Sequence, residues 1–161
     1  MPFFKDKTGA LHFLEDASFA HLLPEGSLPI SDEEAAAMQK PTVEQSKARK
    51  WDAIKVERDR RTDQGGYKVG TKWFHSDQKS RSQQLGLVLL GASIPANLQW
   101  KTMDGSFVTM TATLAQQVLA AAAASDQAIF AAAETHKAAM EASADPASYD
   151  FSAGWPKSFG E

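Results

Sequence analysis

Tyr67-Lys68-Val69-Gly70-Thr71-Lys72-Trp73-Phe74-His75-Ser76 is the stretch that decides the fold. Two short runs rich in aromatic and β-branched residues flank a glycine, which predicts a tight hairpin. Ser76 then stands where a helix cap belongs, ahead of a helix over Asp77 to about Gly91. The same pattern is written again downstream. Leu98 to Met103 and Ser106 to Met110 flank the turn pair Asp104-Gly105, and Thr113 with Gln116 predicts the cap of a long helix to about Ser143. Each hairpin carries a tryptophan near its middle, Trp73 and Trp100. Two hairpin–helix modules in tandem predict an α+β fold, an antiparallel sheet covered by helices.

Working outward, Thr42 to Asp63 contains no glycine or proline and is rich in helix formers, so it predicts a long helix. Its apolar stripe is thin (Val43, Ala48, Trp51, Ile54), Val56 falls off it, and Gln64-Gly65-Gly66 ends it. Before it, residues 1–41 form a small unit. Pro2 to Lys5 and Ala10 to Leu14 flank Asp6-Lys7-Thr8-Gly9 as a hairpin, and Ser31 with Glu34 opens a short helix from Asp32 to Gln39. Pro24 and Pro29 argue against a regular central strand between them. So small a unit holds little core of its own and is expected to dock on the rest of the chain or on a partner. Residues 42–144 make the α+β domain. Residues 145–161 are an irregular tail in which Tyr149, Phe151, Trp155 and Phe159 recur among Ser, Gly, Asp and Pro.

In the last predicted helix Leu114, Val118, Ala122, Ile129, His136 and Met140 fall near one face, and an alanine tract sits between them. An intrachain helix pair is the favoured use of that face, with a homodimer through the Ala-rich helix as the alternative.

Composition narrows the function classes. The 161 residues carry 17 basic and 20 acidic side chains and no cysteine, so disulfides, thiolate metal sites and cysteine nucleophiles are out. The apolar run Leu85 to Ala92 is far short of a bilayer span. Lys5, Asp6 and Lys7 stand where a signal peptide needs apolar residues, which predicts an unexported, cytoplasmic protein. The four histidines have no metal-ligand spacing, the glycines lack phosphate-loop order, and there is no GxSxG. No enzyme, cofactor or metal is therefore expected.

One charge cluster stands out. Lys47, Arg49, Lys50, Lys55, Arg58, Arg60 and Arg61 against Asp52, Glu57 and Asp59 give +4, leaving −7 for the rest of the chain. A basic helix before an aromatic hairpin could bind single-stranded nucleic acid. The interleaved acids favour a solvated face laced with ion pairs instead, with a charged groove for an acidic protein as a third use.

Two stretches carry a family likeness. Phe3-Phe4-Lys5-Asp6-Lys7-Thr8-Gly9-Ala10-Leu11-His12-Phe13, Leu23-Pro24-Glu25-Gly26 and Pro29-Ile30-Ser31-Asp32-Glu33-Glu34 resemble the start of bacteriophage tail fibre assembly proteins. Lys50-Trp51-Asp52-Ala53-Ile54, Gly65-Gly66-Tyr67, Lys72-Trp73-Phe74-His75-Ser76-Asp77 and Trp100-Lys101-Thr102-Met103-Asp104-Gly105 resemble a domain of unknown function carried by many such proteins of phages, prophages and phage-tail-like bacteriocins (tailocins, pyocins). The Pro-rich linker common after the N-terminal helix is reduced here to Pro41.

The resemblance implies an assembly chaperone in the bacterial host cell. It would bind the C-terminal, receptor-binding region of a trimeric tail fibre protein and promote its folding and trimerisation, stoichiometrically and without ATP. A nucleic-acid-binding accessory protein using helix 47–61, or a permanent component of the fibre tip, are the alternatives; no membrane partner is expected. The expected partner-binding residues are Tyr67, Trp73, Phe74, Trp100 and Phe107 in the hairpins and Phe151, Trp155 and Phe159 in the tail. Core packing is an equal use for Trp73 and Trp100. The tail, as the better interface, is expected to be removable from Tyr149 onward without unfolding the rest.

Overall fold

The computed structural model describes residues 3–161; Pro2, assigned above to the first strand, lies outside the described residues. The fold is α+β, with four helices and several small antiparallel sheets. It divides into two compact units, Met1–Glu44 and Gln45–Glu161.

In the first unit β1 (Phe3–Lys5) pairs antiparallel with β2 (Leu11–Phe13), Phe3 opposite Phe13. The Asp6 carboxylate organises the turn. It accepts from the backbone N–H of Thr8 (2.8 Å) and of Ala10 (2.9 Å), and its other oxygen stands 2.8 Å from His12 Nε2. A third strand, β3 (Leu28–Ile30), pairs with the other edge of β1 and places Pro29 opposite Phe4. The prolines were expected to exclude a central strand; β3 is an edge strand, where proline's missing N–H costs no ladder bond. Helix α1 (Asp32–Gln39) is capped by Ser31, whose side chain accepts from Glu34 N–H.

In the second unit α2 (Val43–Gln64) leads to β4 (Tyr67–Val69) and β5 (Lys72–Phe74), paired antiparallel with Tyr67 opposite Phe74. Gly70 alone takes positive φ (+59°) in the two-residue turn, the signature of a type II′ hairpin. Helix α3 (Gln78–Leu90) follows. Its cap is Asp77, which accepts from Ser80 N–H, and not Ser76. Ser76 is buried, and its hydroxyl oxygen accepts from Gly66 N–H at 2.9 Å, tying the end of the hairpin to the residue that starts it.

Strands β6 (Gln99–Lys101) and β7 (Phe107–Thr109) form the second hairpin. Its loop is longer than a two-residue Asp-Gly turn. Thr102 N–H bonds Ser106 O, Gly105 N–H bonds Thr102 O, and Gly105 has φ +82°, a three-residue loop with a glycine bulge. Helix α4 (Ala112–Ala142) is capped by Thr111 through Leu114 N–H, two residues before the expected Thr113.

The hairpins do not merge into one sheet. Each is a separate two-stranded sheet; a backbone bond from Met103 N–H to Trp73 O (2.9 Å) bridges them, and Lys72 Nζ of β5 donates to Asp104 and Ser106 in the second hairpin's loop. The helices supply the cover: Tyr67, Phe74 and Met110 pack with Leu87 of α3 and Ala115, Val118 and Ala122 of α4. A second cluster joins Ile54 of α2 to Ala133 and Met140 of α4, under Trp51, Tyr149, Phe151 and Trp155. The buried face of α4 thus packs within the chain on both α3 and α2.

Candidate functional site

Two arginines hold the second unit together, and both come from polar-looking sequence. Arg81 on α3 makes a bidentate pair with Asp126 of α4 (2.7 and 2.8 Å) and also donates to Ser76 O and Thr62 O. Arg61 was assigned to a solvated basic face, yet it is only 6 % exposed. It donates to Glu57, Pro156 O, Ser158 Oγ and Glu161. The rest of the basic helix is laced with ion pairs: Lys55–Asp52, Arg58–Asp59 and Arg60–Glu57. Arg58 also lies over the Phe130 ring, 4.7 Å from its centre. Glu57 is held below the usual carboxylate range chiefly by Arg60, then by Arg61.

The eight aromatic residues expected to meet a partner separate into distinct settings. Tyr67 and Phe74 are 2 % and 1 % exposed, inside the main core. Neither is open to a partner in the folded chain, because β4 and β5 turn both of these cross-strand neighbours toward α3 and α4. Tyr67 O–H also reaches Gln84, and burial pushes its hydroxyl pKa up. Trp100 is half-buried against the same core. Its indole N–H is buried with no acceptor among the described residues.

The tail wraps back over its own domain. Phe151 and Trp155 pack on the Ile54–Ala133–Met140 cluster, and Trp155 Nε1 donates to Phe151 O at 2.7 Å. Phe159 N–H bonds Gly65 O, and its ring meets Trp73 edge-on at 6.3 Å. His136 lies inside an aromatic box of Tyr149, Phe151 and Trp155, with Nδ1 3.0 Å from Tyr149 Oη. Of the eight, Phe107 (63 % exposed) and Phe159 (40 %) are the most exposed.

A groove of about 680 Å³ lies between the second hairpin and α3. Leu87, Leu90, Leu98 and Trp100 give it an apolar lining, and Gln99 and Lys101 of β6 and His75 stand at its sides. Beside it α3 leaves Leu85 (47 %) and Leu89 (80 %) exposed. Sequence patterning missed this face, although a signal existed. Leu85 to Leu90 is apolar on every side of a helix, more than one buried stripe can use.

Among the described residues, no group of three His, Asp or Glu side chains could hold a metal ion, and no helix is long and apolar enough to cross a membrane. No curated protein and no solved structure matches the chain. Residues 45–153, from the third residue of α2 into the tail, match the model of the family described as domain of unknown function DUF4376, and the chain belongs to that family.

Proposed function

We propose that the protein is an assembly chaperone for a tail fibre of a phage or phage-tail-like bacteriocin. It would bind the receptor-binding end of the fibre in the bacterial cytoplasm and hold it until three chains pair. The observation that carries this reading is the order of motifs across both units. An N-terminal stretch over residues 3–34 that resembles the start of tail fibre assembly proteins precedes the DUF4376 match, and the motifs from Lys50 to Gly105 within it resemble a domain that many of those proteins carry.

The surface supports it. Leu85, Leu89, Leu90 and Phe107 in the second unit, and Phe13, Phe19, Leu22 and Leu28 in the first, are large apolar side chains left exposed. Such groups suit a protein that covers the apolar or edge-strand surface of a folding intermediate, the surface through which misassembly proceeds. The basic helix supports nucleic-acid binding poorly, because Lys55, Arg58, Arg60 and Arg61 are paired with Asp52, Glu57 and Asp59.

The test is co-expression with the fibre protein encoded beside it, followed by size exclusion with light scattering. A fibre insoluble alone that becomes a soluble trimer with this chain supports the proposal, and the mass of the complex gives the ratio. A fibre that trimerises equally well alone, with no complex eluting, overturns it.

A further inference from the structure

Strand β6 has one edge in use and one free. Met110 N–H bonds Leu98 O and Thr102 N–H bonds Ser106 O, both at 2.8 Å, and Trp100 stands opposite Val108 between them. The even-numbered residues of β6 therefore face β7. The alternation of an antiparallel ladder turns the N–H and C=O of Gln99 and Lys101 to the opposite edge. Met103, next in that odd series, spends its N–H on Trp73 O of β5. The match goes no further, because β5 ends at Phe74 and the chain turns away at His75, whose carbonyl accepts from Gln84 Nε2. Beyond that backbone bond no strand among the described residues pairs with this edge of β6. The lane beside it forms the groove, backed by Leu87 and Leu90 of α3.

Gly86 lies on the groove wall, and a Cβ there would meet nothing within 4 Å. A glycine inside a helix costs stability, and here no intrachain packing accounts for it. It leaves room for a backbone to pass close to α3. No carboxylate lines the groove, whereas Lys101 and His75 do.

We propose that the groove receives an extended segment of a partner chain as an added strand on the free edge of β6. The segment's backbone pairs with Gln99 and Lys101. Its alternate side chains are apolar toward Leu87, Leu90, Leu98 and Trp100, and a carboxylate stands at the Lys101 end. Main-chain bonds supply affinity and the apolar pockets supply register, as in other strand-addition sites. The identity of the partner as a fibre chain rests on the chaperone reading; the strand-receiving groove does not.

Two variants test it. Gly86→Phe fills the groove from a position with free space. Gln99→Pro removes an edge N–H that the β6–β7 ladder does not use, with Gln99→Thr as the control that keeps it. Each would be measured against the neighbouring fibre protein and against a blocked peptide alternating valine and threonine with a terminal glutamate, followed by backbone amide NMR. Gly86→Phe and Gln99→Pro are expected to weaken fibre binding by roughly tenfold or more, with Gln99→Thr near wild type. Unfolding transitions would confirm that all three fold. A fibre bound equally by all variants overturns the groove and leaves the chaperone reading intact. If the fibre is not bound, but the peptide shifts the Gln99 and Lys101 amides of the wild type and not of Gly86→Phe, the groove stands and the chaperone reading falls. Binding of neither probe overturns both.

Discussion

Arg61 and Glu161, one hundred positions apart, face each other as a bidentate pair, Nη1 to Oε2 at 3.1 Å and Nη2 to Oε1 at 3.0 Å. The pair closes the tail onto α2 beside the aromatic cluster, so the last aromatic segment belongs to the fold of the second unit. Arg61 is buried and serves Glu57, Pro156 and Ser158 as well.

Arg61→Met is therefore expected to lower stability by about 3 kcal/mol, the scale for removing one partner of a buried charged network. Glu161→Gln should do far less, since Glu161 is 45 % exposed and water replaces its charge. Urea unfolding of both variants checks the order. Equal losses would mean that the pair, and not the buried guanidinium, secures the tail.

Deletion of residues 149–161 takes Tyr149, Phe151 and Trp155 from the Ile54–Ala133–Met140 cluster and uncovers His136. A loss on the order of 3 kcal/mol or more is expected from that apolar area alone. The thermal transition should fall sharply or broaden, contrary to the expectation of a removable tail. An unchanged midpoint in the truncated chain would restore the tail as a free recognition segment.

Much of this was legible in the sequence. The hairpin–helix tandem, α2 and α1 with its Ser31 cap all follow from local chemistry. Errors arose where several residues could do one local job and distant contacts chose among them. Ser76 and Asp77 are both good caps; Gly66 N–H recruits Ser76, which leaves Asp77 for α3. Thr111 and Thr113 are likewise both eligible, and the helix starts at Ala112. The groove was illegible because it is made by β5 ending early beside β6, a relation between two hairpins that neither records alone. Arg61 misled because a charged residue on a charged helix looks solvated until a distant carbonyl, hydroxyl and carboxylate converge on it.

The cap assignment has its own test. Thr111→Ala should cost about 1 kcal/mol, while Thr113→Ala should fall within about 0.5 kcal/mol of wild type because alanine suits a helix interior. Ser76→Ala should cost about 1–3 kcal/mol by orphaning the buried Gly66 N–H. Denaturant midpoints of the three decide it, and a costly Thr113→Ala with a silent Thr111→Ala would refute the assignment.

Acid should loosen the β6–β7 loop. The Lys72 ammonium, then the Thr102 and Ser106 hydroxyls, hold the Asp104 carboxyl well below the usual carboxylate range. A folded pKa below the unfolded one means that this stabilisation is present above about pH 4 and drains away as pH falls through the folded value. Asp6 behaves alike, through His12 first and Thr8 next. Asp104→Asn should thus be less stable than wild type at neutral pH, with the gap narrowing in acid. Thermal midpoints across pH for both proteins check the sign, and a gap that widens in acid would contradict it.

Two glycines make opposite demands, and substituting both separates conformation from space. Gly66 has φ +71°, and a Cβ there would lie 2.3 Å from Met103 Sδ and 3.0 Å from Phe74 O. Gly66→Ala must therefore strain the backbone and push against the contact between the hairpins. A loss of about 2 kcal/mol or more is expected. Met103→Ala in the same chain should return only the part due to the flexible methionine, because the positive φ and the carbonyl contact persist. Gly86 has ordinary helical geometry and open space, so Gly86→Ala should stabilise by about 1 kcal/mol. If natural stability were the only demand on α3, alanine would serve better there; a stabilised Gly86→Ala that binds the fibre more weakly would show what the glycine is kept for.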